Sequence, residues 1–391
     1  MQLRQQPRPA AAEPAAGSLS LGRRHRRSRL DRVAALIDTN LATWLAEAAP
    51  ALDSGAADPA LPLPRLAASG LPAIGVPEAL GGAGGDVTDA VEAIAAVSSH
   101  SLAAGLVLWG HRTFVDYLLQ TPNQGLRGHL PDLLAGRVAG ATGMSNAMKF
   151  LSGLEGLQIT GRPEADGHRL DGKLPWVTNV RAQGFLVAAA VASADPGKPS
   201  FCAALPHDMP GLARSPDLDL MALRASSTAA LSLSDVRIGP EHILHDNAVA
   251  WLPVIRPTFL GLQCGLSIGL ARRSLSSARL HTGAGRGVLD EPIATLEQAL
   301  QEHERQLRAG LRSGLFRSQP APLFRLRIGL AEIVADSVSL ELQAAGGRAY
   351  LRQPGEAIAR RMREAAFVPL ITPSLVQLKA ALSAQPAGRA A

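Results

Sequence analysis

The period of the hydrophobic pattern changes twice along the chain. Over residues 30–135 apolar side chains recur at helical spacing, as at Val33 and Ile37, and Asp86 is placed to cap one predicted helix. Residues 71–77 interrupt this pattern as a short extended piece followed by a glycine-rich loop. The first third of the chain is therefore predicted to be mainly helical.

After Gly140 the pattern becomes that of strands. Residues 184–191 and 200–205 are continuous apolar runs, and residues 230–236 alternate between apolar and polar side chains. Asp-Gly pairs at 166–167 and 171–172 are hairpin-type turn signals. These features predict an antiparallel β module of roughly a hundred residues.

Beyond Asp246 the pattern returns to long helices. Four are predicted, over about 247–281, 292–314, 321–345 and 355–384. Short loops between long helices with apolar stripes favour an antiparallel bundle.

Charge and composition exclude several classes of function. The net charge is +6, but residues 1–29 contain seven arginines and one acid, so the rest of the chain is neutral. We therefore expect a disordered Arg-rich tail at 1–29 and consider nucleic-acid binding unlikely. Cys202 and Cys264 lie in apolar runs without metal-ligand spacing, which favours buried thiols and no metal site. The chain shows no secretory signal or membrane-spanning run, so we expect a cytoplasmic protein.

No common nucleotide or hydrolase motif is present. The glycine-rich runs at 81–85 and 283–287 lack the strand-to-helix context of a dinucleotide fold, so each is interpreted as a loop.

Four segments, taken together and in order, resemble the acyl-CoA dehydrogenase family of FAD enzymes. They are residues 75–84 (G-V-P-E-A-L-G-G-A-G), 170–179 (L-D-G-K-L-P-W-V-T-N), 220–228 with 233–244, and 343–350 (Q-A-A-G-G-R-A-Y). The resemblance covers roughly residues 30–385. It implies an α+β fold with an N-terminal helical domain (30–138), a central antiparallel β-barrel-like domain (139–245) and a C-terminal four-helix bundle (246–391).

The resemblance also implies flavin contacts in the β domain. The family's tryptophan and threonine beside the flavin match Trp176 and Thr178, where an indole can pack on the ring and a hydroxyl can hydrogen-bond its N5. Met144 and Ser145 match the segment near the flavin pyrimidine, although Asn146 replaces the glutamate of the family pattern.

A second group of residues matches the family segments that bind the adenine–pyrophosphate half of an FAD molecule across the interface with a neighbouring subunit. These residues are Gln343, Gly346 and Gly347, with Arg286 as a candidate phosphate ligand. The resemblance thus implies FAD and a homodimer or homotetramer.

The catalytic base of the family is missing. Its glutamate occupies one of two positions, which here are Thr372 and Ile255. Arg256 matches an arginine that lines the family's active site, with a structural salt bridge as the alternative. Glu364 lies about two helical turns before Thr372 and is a poor substitute.

Three hypotheses follow. The first is a dehydrogenase acting on the CH–CH group of an acyl-CoA in fatty acid metabolism, with its electrons passed to an electron-transfer flavoprotein. The second is an oxygen-dependent monooxygenase that uses FAD or FMN reduced by a flavin reductase, in which His111 resembles a histidine near the flavin; the alternative is a helix histidine with satisfied hydrogen bonds. The third is a non-catalytic flavoprotein or a protein that binds nucleic acid through its tail.

Overall fold

The computed structural model describes residues 37–281 and 285–384. The predictions for the tail at 1–29 and for Val33 concern residues outside these ranges. The first part of the described chain contains five helices: α1 (Thr39–Ser54), α2 (Pro62–Ala68), α3 (Val87–Ser98), α4 (Leu102–Gln120) and α5 (Leu130–Leu134). The predicted helical character of this region is confirmed.

Local hydrogen bonds explain where these helices begin. The Asp86 side chain accepts a hydrogen bond from the Thr88 backbone N–H at 2.7 Å, and the Asp89 side chain accepts one from the Asp86 N–H. The predicted cap is therefore confirmed. The extended piece predicted at 71–77 is wrong: short 3-10 turns form at Leu71–Ala73 and Glu78–Leu80. Arg112 holds this segment by donating to the Ile74 and Gly75 carbonyls.

The middle of the chain forms a mixed sheet. Strand β1 (Ala139–Thr142) is followed by helix α6 (Ser145–Leu151) and by seven further strands: β2 (Ile159–Glu164), β3 (Gly167–Val177), β4 (Phe185–Ser193), β5 (Phe201–Pro206), β6 (Leu212–Asp217), β7 (Ala229–Ile238) and β8 (Ile243–His245). The strands are ordered β6-β7-β3-β2-β4-β5-β8, with β1 also paired to β4.

Two details of the predicted β domain are corrected. The sheet is not purely antiparallel, because β1 and β2 both run parallel to β4. It is also not closed into a barrel, because β6 and β8 remain as its two ends. Sequence periodicity identifies strands but does not report their partners, so neither feature could be read from the alternation of side chains.

The last part of the chain is helical, as predicted. Its helices are α7 (Ala248–Leu280), α8 (Asp290–Ser313), α9 (Leu315–Ser318), α10 (Pro320–Ala345), α11 (Arg352–Phe367) and α12 (Leu375–Ser383). The single helix predicted at 355–384 is two helices, since Pro369 and Pro373 lie between α11 and α12 and remove backbone donors.

Helix α7 is the central element of this bundle. It is long and apolar enough by composition to cross a membrane, but 83% of its most apolar window is buried in the protein, as in a core helix. It packs against α3 and α10, and Gly269 permits the close approach to α3, because a Cβ there would lie 2.2 Å from the Ala95 carbonyl oxygen. This contact fixes the N-terminal helices against the C-terminal bundle.

Candidate active site

A cleft of about 520 Å³ lies where the sheet, helix α4 and the α11–α12 segment meet. One wall carries polar and aromatic side chains of the sheet region, namely Thr142, Ser145, Trp176, Thr178 and Thr228. The rest of the lining is mainly apolar and includes Leu106, Trp109, Phe259, Phe367, Ile371 and Thr372. This size and lining suit a small-molecule site.

Trp176 presents its indole to the cleft. It stands at the end of β3 with 59% of its surface exposed, so it is not a core aromatic of the β domain. Two residues further on, the Thr178 hydroxyl lies in the same cleft, 3.1 Å from the Thr228 hydroxyl. An exposed aromatic face beside a hydroxyl fits a planar, hydrogen-bonding ring system such as a flavin.

The two residues predicted near the flavin pyrimidine behave differently. Ser145 lines the cleft, whereas Met144 is fully buried and does not line it. Asn146, which replaces the family's glutamate, points into the protein. Its amide donates to Glu155 and accepts from the Gln158 N–H, both at 2.9 Å, and so braces the start of α6.

The two positions at which the family places its base are not equivalent in this structure. Thr372 lines the cleft, while Ile255 is fully buried and does not. Lys149 and Arg363 are the charged residues of the cleft lining, and no carboxylate among the described residues reaches it. The described lining thus has Thr372 where the resemblance implies a glutamate, and it contains no carboxylate.

Glu364 is the nearest acidic residue along the sequence, and it faces away from the cleft. Its carboxylate pairs with Arg360 and accepts from the Leu102 N–H at the start of α4. Burial raises the pKa of Glu364, while Arg360 opposes that shift. Its contacts are those of a buried anchor for α4, in agreement with its dismissal as a substitute base.

Arg256 neither lines the cleft nor forms the salt bridge considered from the sequence. Its guanidinium lies over the Phe324 ring, 5.5 Å from the centroid, in a cation–π contact between α7 and α10. Burial lowers the pKa of this arginine. The predicted lining role is therefore wrong for this conformation.

His111 is buried inside the protein instead of facing the cleft. Its Nδ1 accepts from the Gly140 N–H and its Nε2 donates to the Leu133 carbonyl, each at 2.9 Å. Burial lowers the pKa of His111 to about 4, so the imidazole is neutral near pH 7. The hypothesis of a histidine near the flavin is corrected: His111 joins α4 to β1.

The residues predicted for the adenine–pyrophosphate half lie together, away from the cleft lining. A Cβ placed on Gly346 would lie 3.0 Å from Arg286 Nη2, so these two residues are neighbours. Gln343 lies three residues earlier and donates to Ser339, and Gly347 has open space around its Cβ position. Residues 282–284 of the adjoining loop fall outside the described ranges. Phosphate binding here stays a prediction.

A set of contacts around Asp53 at the edge of the cleft, here called the Asp53 clamp, was not predicted from the sequence. Arg363 donates through both Nε and Nη2 to Asp53 Oδ2, at 3.2 and 2.7 Å, and Asp53 Oδ1 accepts from the Leu223 N–H at 3.0 Å. The contacts join residues 310 and 170 positions apart, so no local pattern could reveal them.

Comparisons with known proteins agree with this architecture. The family model described as acyl-CoA dehydrogenase, N-terminal domain, matches residues 25–137. The chain is 24% identical to the probable acyl-CoA dehydrogenase YngJ of Bacillus subtilis over 78% of its own length and 84% of that protein. It is 26% identical to the human mitochondrial short-chain specific acyl-CoA dehydrogenase over 56% of this chain and 53% of that one.

Solved structures share the fold at low identity. Butyryl-CoA dehydrogenase from Megasphaera elsdenii superposes with a TM-score of 0.75 at 18% identity, over 91% of this chain and 97% of that chain. KijD3, solved in complex with FMN and a dTDP-linked amino sugar, gives 0.74 at 21% identity, over 91% and 92%. The N-terminal family model, the curated relatives and the shared fold together support placing the chain in the acyl-CoA dehydrogenase family of flavin-dependent oxidoreductases.

Proposed function

We propose that the chain holds a flavin against Trp176 and catalyses an oxidation that needs no carboxylate base in the cleft. The observation that carries this proposal is the lining itself, since Thr372 stands at the base position and no acid lines the cleft within the described ranges. Abstraction of a substrate proton requires a base within hydrogen-bond reach, which this cleft does not supply. Monooxygenation by reduced flavin and O2 avoids that step.

The residues of the chain supply binding and orientation. Trp176 would pack on the flavin ring, while the Thr178 and Ser145 hydroxyls would hydrogen-bond its edge. When bound, the flavin would accept two electrons from the substrate or, once reduced, pass two electrons to O2. In monooxygenation one oxygen atom enters the substrate and the other leaves as water, with two electrons delivered by a flavin reductase.

We propose FAD as the flavin, because Arg286 beside Gly346, with open space at Gly347, forms a basic corner that suits a pyrophosphate in an assembled dimer or tetramer. FMN is the alternative if that corner binds nothing. The substrate would be mainly apolar, because the lining includes Leu106, Phe259 and Ile371, and its anionic group would lie beside Arg363.

Dehydrogenation of an acyl-CoA at its CH–CH bond is the second candidate. It is favoured by the curated relatives, which are named as acyl-CoA dehydrogenases. An electron-transfer flavoprotein would then be the electron acceptor, within fatty acid metabolism. This reaction would need a base from outside the observed lining, so the cleft favours it less. Either reaction suits the cytoplasmic location expected from the sequence.

Anaerobic titration with acyl-CoAs from butyryl-CoA to palmitoyl-CoA separates the two reactions. We expect no loss of oxidised-flavin absorbance in the native enzyme, and incorporation of labelled oxygen from O2 when reduced flavin is supplied with octanoate or octanoyl-CoA. Bleaching by an acyl-CoA together with formation of the enoyl product would refute the monooxygenase proposal.

The substitution Thr372→Glu tests the missing base directly. It places a carboxylate at the cleft-lining base position, and Thr372→Gln is the matched uncharged control. If the substrate is an acyl-CoA, we expect bleaching in the Glu variant alone. Bleaching in both variants would show that the carboxylate is not the missing element.

A further inference from the structure

Arg327 is a fully buried cation without an acidic partner. It lies on α10 with no exposed surface, and it forms no ion pair within the described chain. Its Nε donates to Gln263 Oε1 at 2.8 Å and its Nη2 donates to the Val368 carbonyl at 2.7 Å. The remaining nitrogen, Nη1, is buried with no hydrogen-bond partner among these residues. Burying an unpaired charge costs several kcal/mol, so this arrangement requires an explanation.

The contacts of Arg327 lead to the cleft. Gln263 is also fully buried, and its Nε2 donates to the Thr372 carbonyl oxygen at 3.1 Å. Arg327 thus holds both ends of the segment between α11 and α12, directly at Val368 and through Gln263 at Thr372. This segment provides the cleft wall at the family's base position.

The charged side chains that line the cleft are both basic and each is ion-paired, so Arg327 behind the wall is the unpaired charge among the described residues here. Lys149 and Arg363 line the cleft, and Arg327 lies behind it. Their nearest acids, Glu155 for Lys149 and Asp53 for Arg363, do not line the cleft. Cys264 is the group that acts on Arg327 electrostatically, and burial raises the pKa of its thiol to about 12, so it stays neutral. Burial lowers the pKa of Arg327 from a very high starting value, and a guanidinium remains charged in proteins.

We propose that Arg327 is a positioning residue that fixes the Thr372 segment and makes the potential there positive, so that the site stabilises negative charge on the bound substrate. The inference rests on the cleft being the active site. The wall is therefore suited to an anionic substrate or an oxyanion. Its electrostatic attraction for such a charge is stronger because the surroundings have a low dielectric constant.

A thiol at position 372 can report this potential without any turnover. Thr372→Cys is nearly isosteric, and its pKa can be measured in the full-length chain from the pH dependence of alkylation by iodoacetamide. We expect a pKa below the free-cysteine value of about 8.5. The native thiols will not interfere, because Cys202 and Cys264 are buried and burial raises the pKa of both.

Three second-site variants identify the source of the shift. Arg327→Met removes the charge, and Gln263→Glu pairs it with a carboxylate while also losing the donor to the Thr372 carbonyl. Each should raise the reporter pKa by about one unit, a tenfold fall in thiolate at neutral pH. Gln263→Met breaks the link to Thr372 but keeps the charge, and should leave the pKa low. An unchanged pKa in the first two variants, or an equal rise in all three, would overturn the electrostatic role.

The inference stays testable if one of the three variants does not fold. If Gln263→Met is lost, the other two are compared with the Thr372→Cys parent. Either charge-removing variant can be compared with Gln263→Met, and melting by circular dichroism shows which are folded. Because alkylation needs neither flavin nor substrate, a failed monooxygenase assay leaves this result interpretable. A normal reporter pKa would reject the Arg327 inference even if the proposed reaction were observed.

Discussion

An exposed tryptophan is the residue-scale feature that most clearly marks the site. Burying an indole is worth several kcal/mol in a core, yet Trp176 leaves most of its ring in the cleft. The neighbouring Thr178 hydroxyl occupies the same wall. A side chain that is left exposed in this way contributes to ligand binding more than to folding.

We therefore expect Trp176→Ala to weaken flavin binding by about tenfold or more, since aromatic contacts contribute roughly 1 kcal/mol beyond buried area. The melting temperature of the flavin-free protein should change little. Equilibrium dialysis with FAD and FMN measures the first quantity, and circular dichroism measures the second. Val249→Ala, at an exposed apolar residue at the start of α7, is the control and should leave flavin binding unchanged. Equal flavin affinity in both variants would rule out the stacking role.

His111 gives a prediction about pH. Its pKa falls from 6.5 to about 4 on folding, so the unfolded chain binds the proton more readily. Stability from neutral His111 is thus fully present above pH 6.5 and is lost as the pH falls towards 4. Between pH 7.5 and 5 this amounts to about 2 kcal/mol of the free energy of unfolding.

The substitution His111→Gln isolates that contribution from those of the other histidines. Urea unfolding at pH 7.5 and 5 should show a pH-dependent loss about 2 kcal/mol smaller in the variant than in the native protein. The variant should be less stable at pH 7.5, because the contacts with Leu133 and Gly140 are altered. An identical pH dependence in both proteins would mean that His111 titrates normally.

At the scale of elements, one buried carboxylate fastens three parts of the chain. Asp53 is the last buried residue of α1, and it binds Arg363 of α11 and the backbone of Leu223, which precedes β7. Arg363 and Leu223 both line the cleft. Asp53 therefore holds two residues of the cleft lining in place without lining the cleft itself.

A double-mutant cycle with Asp53→Asn and Arg363→Met should reveal a coupling of about 1 kcal/mol or more in urea unfolding. The expected coupling energy is smaller than that of a fully buried ion pair because the Arg363 side chain is 40% exposed to solvent. The exposed pair Arg137–Asp132 is the matched control, with an expected coupling below about 0.5 kcal/mol. Similar coupling energies in the two cycles would show that the Arg363–Asp53 pair contributes no more to stability than an exposed ion pair.

Helices and strands were predicted from the sequence more successfully than the contacts between them. The helical and strand periods at 247–281 and 184–191 correspond to α7 and β4, because burial of one face or of a whole strand imposes those periods. The parallel pairing of β1 with β4 and the Asp53 clamp join residues far apart, which leaves no local signal. The site residues followed from family motifs, and His111 and Arg256 were misplaced because a motif does not report side-chain direction.

At the scale of the whole molecule, a region near the end of α10 is unusually exposed. Tyr350 is 94% exposed and Leu351 is 57% exposed, next to the corner formed by Arg286 and Gly346. Exposed apolar side chains beside a basic corner suit an interface that also holds a ligand. We expect the 40.8 kDa chain to assemble into a dimer or tetramer through this region.

Assembly and FAD retention should therefore be linked. Tyr350→Asp places a charge at the predicted interface, so light scattering should report a smaller particle. The variant should also release FAD on dilution, because FAD that binds only the assembled form is lost when the subunits separate. Leu61→Asp, at an exposed leucine before α2, is the control and should change neither property. Arg286→Met should weaken FAD binding while the particle keeps its size, because only the phosphate contact is removed. If Tyr350→Asp dissociates the particle and FAD stays bound with native affinity, each subunit holds its own cofactor, and the corner at Gly346 has another role.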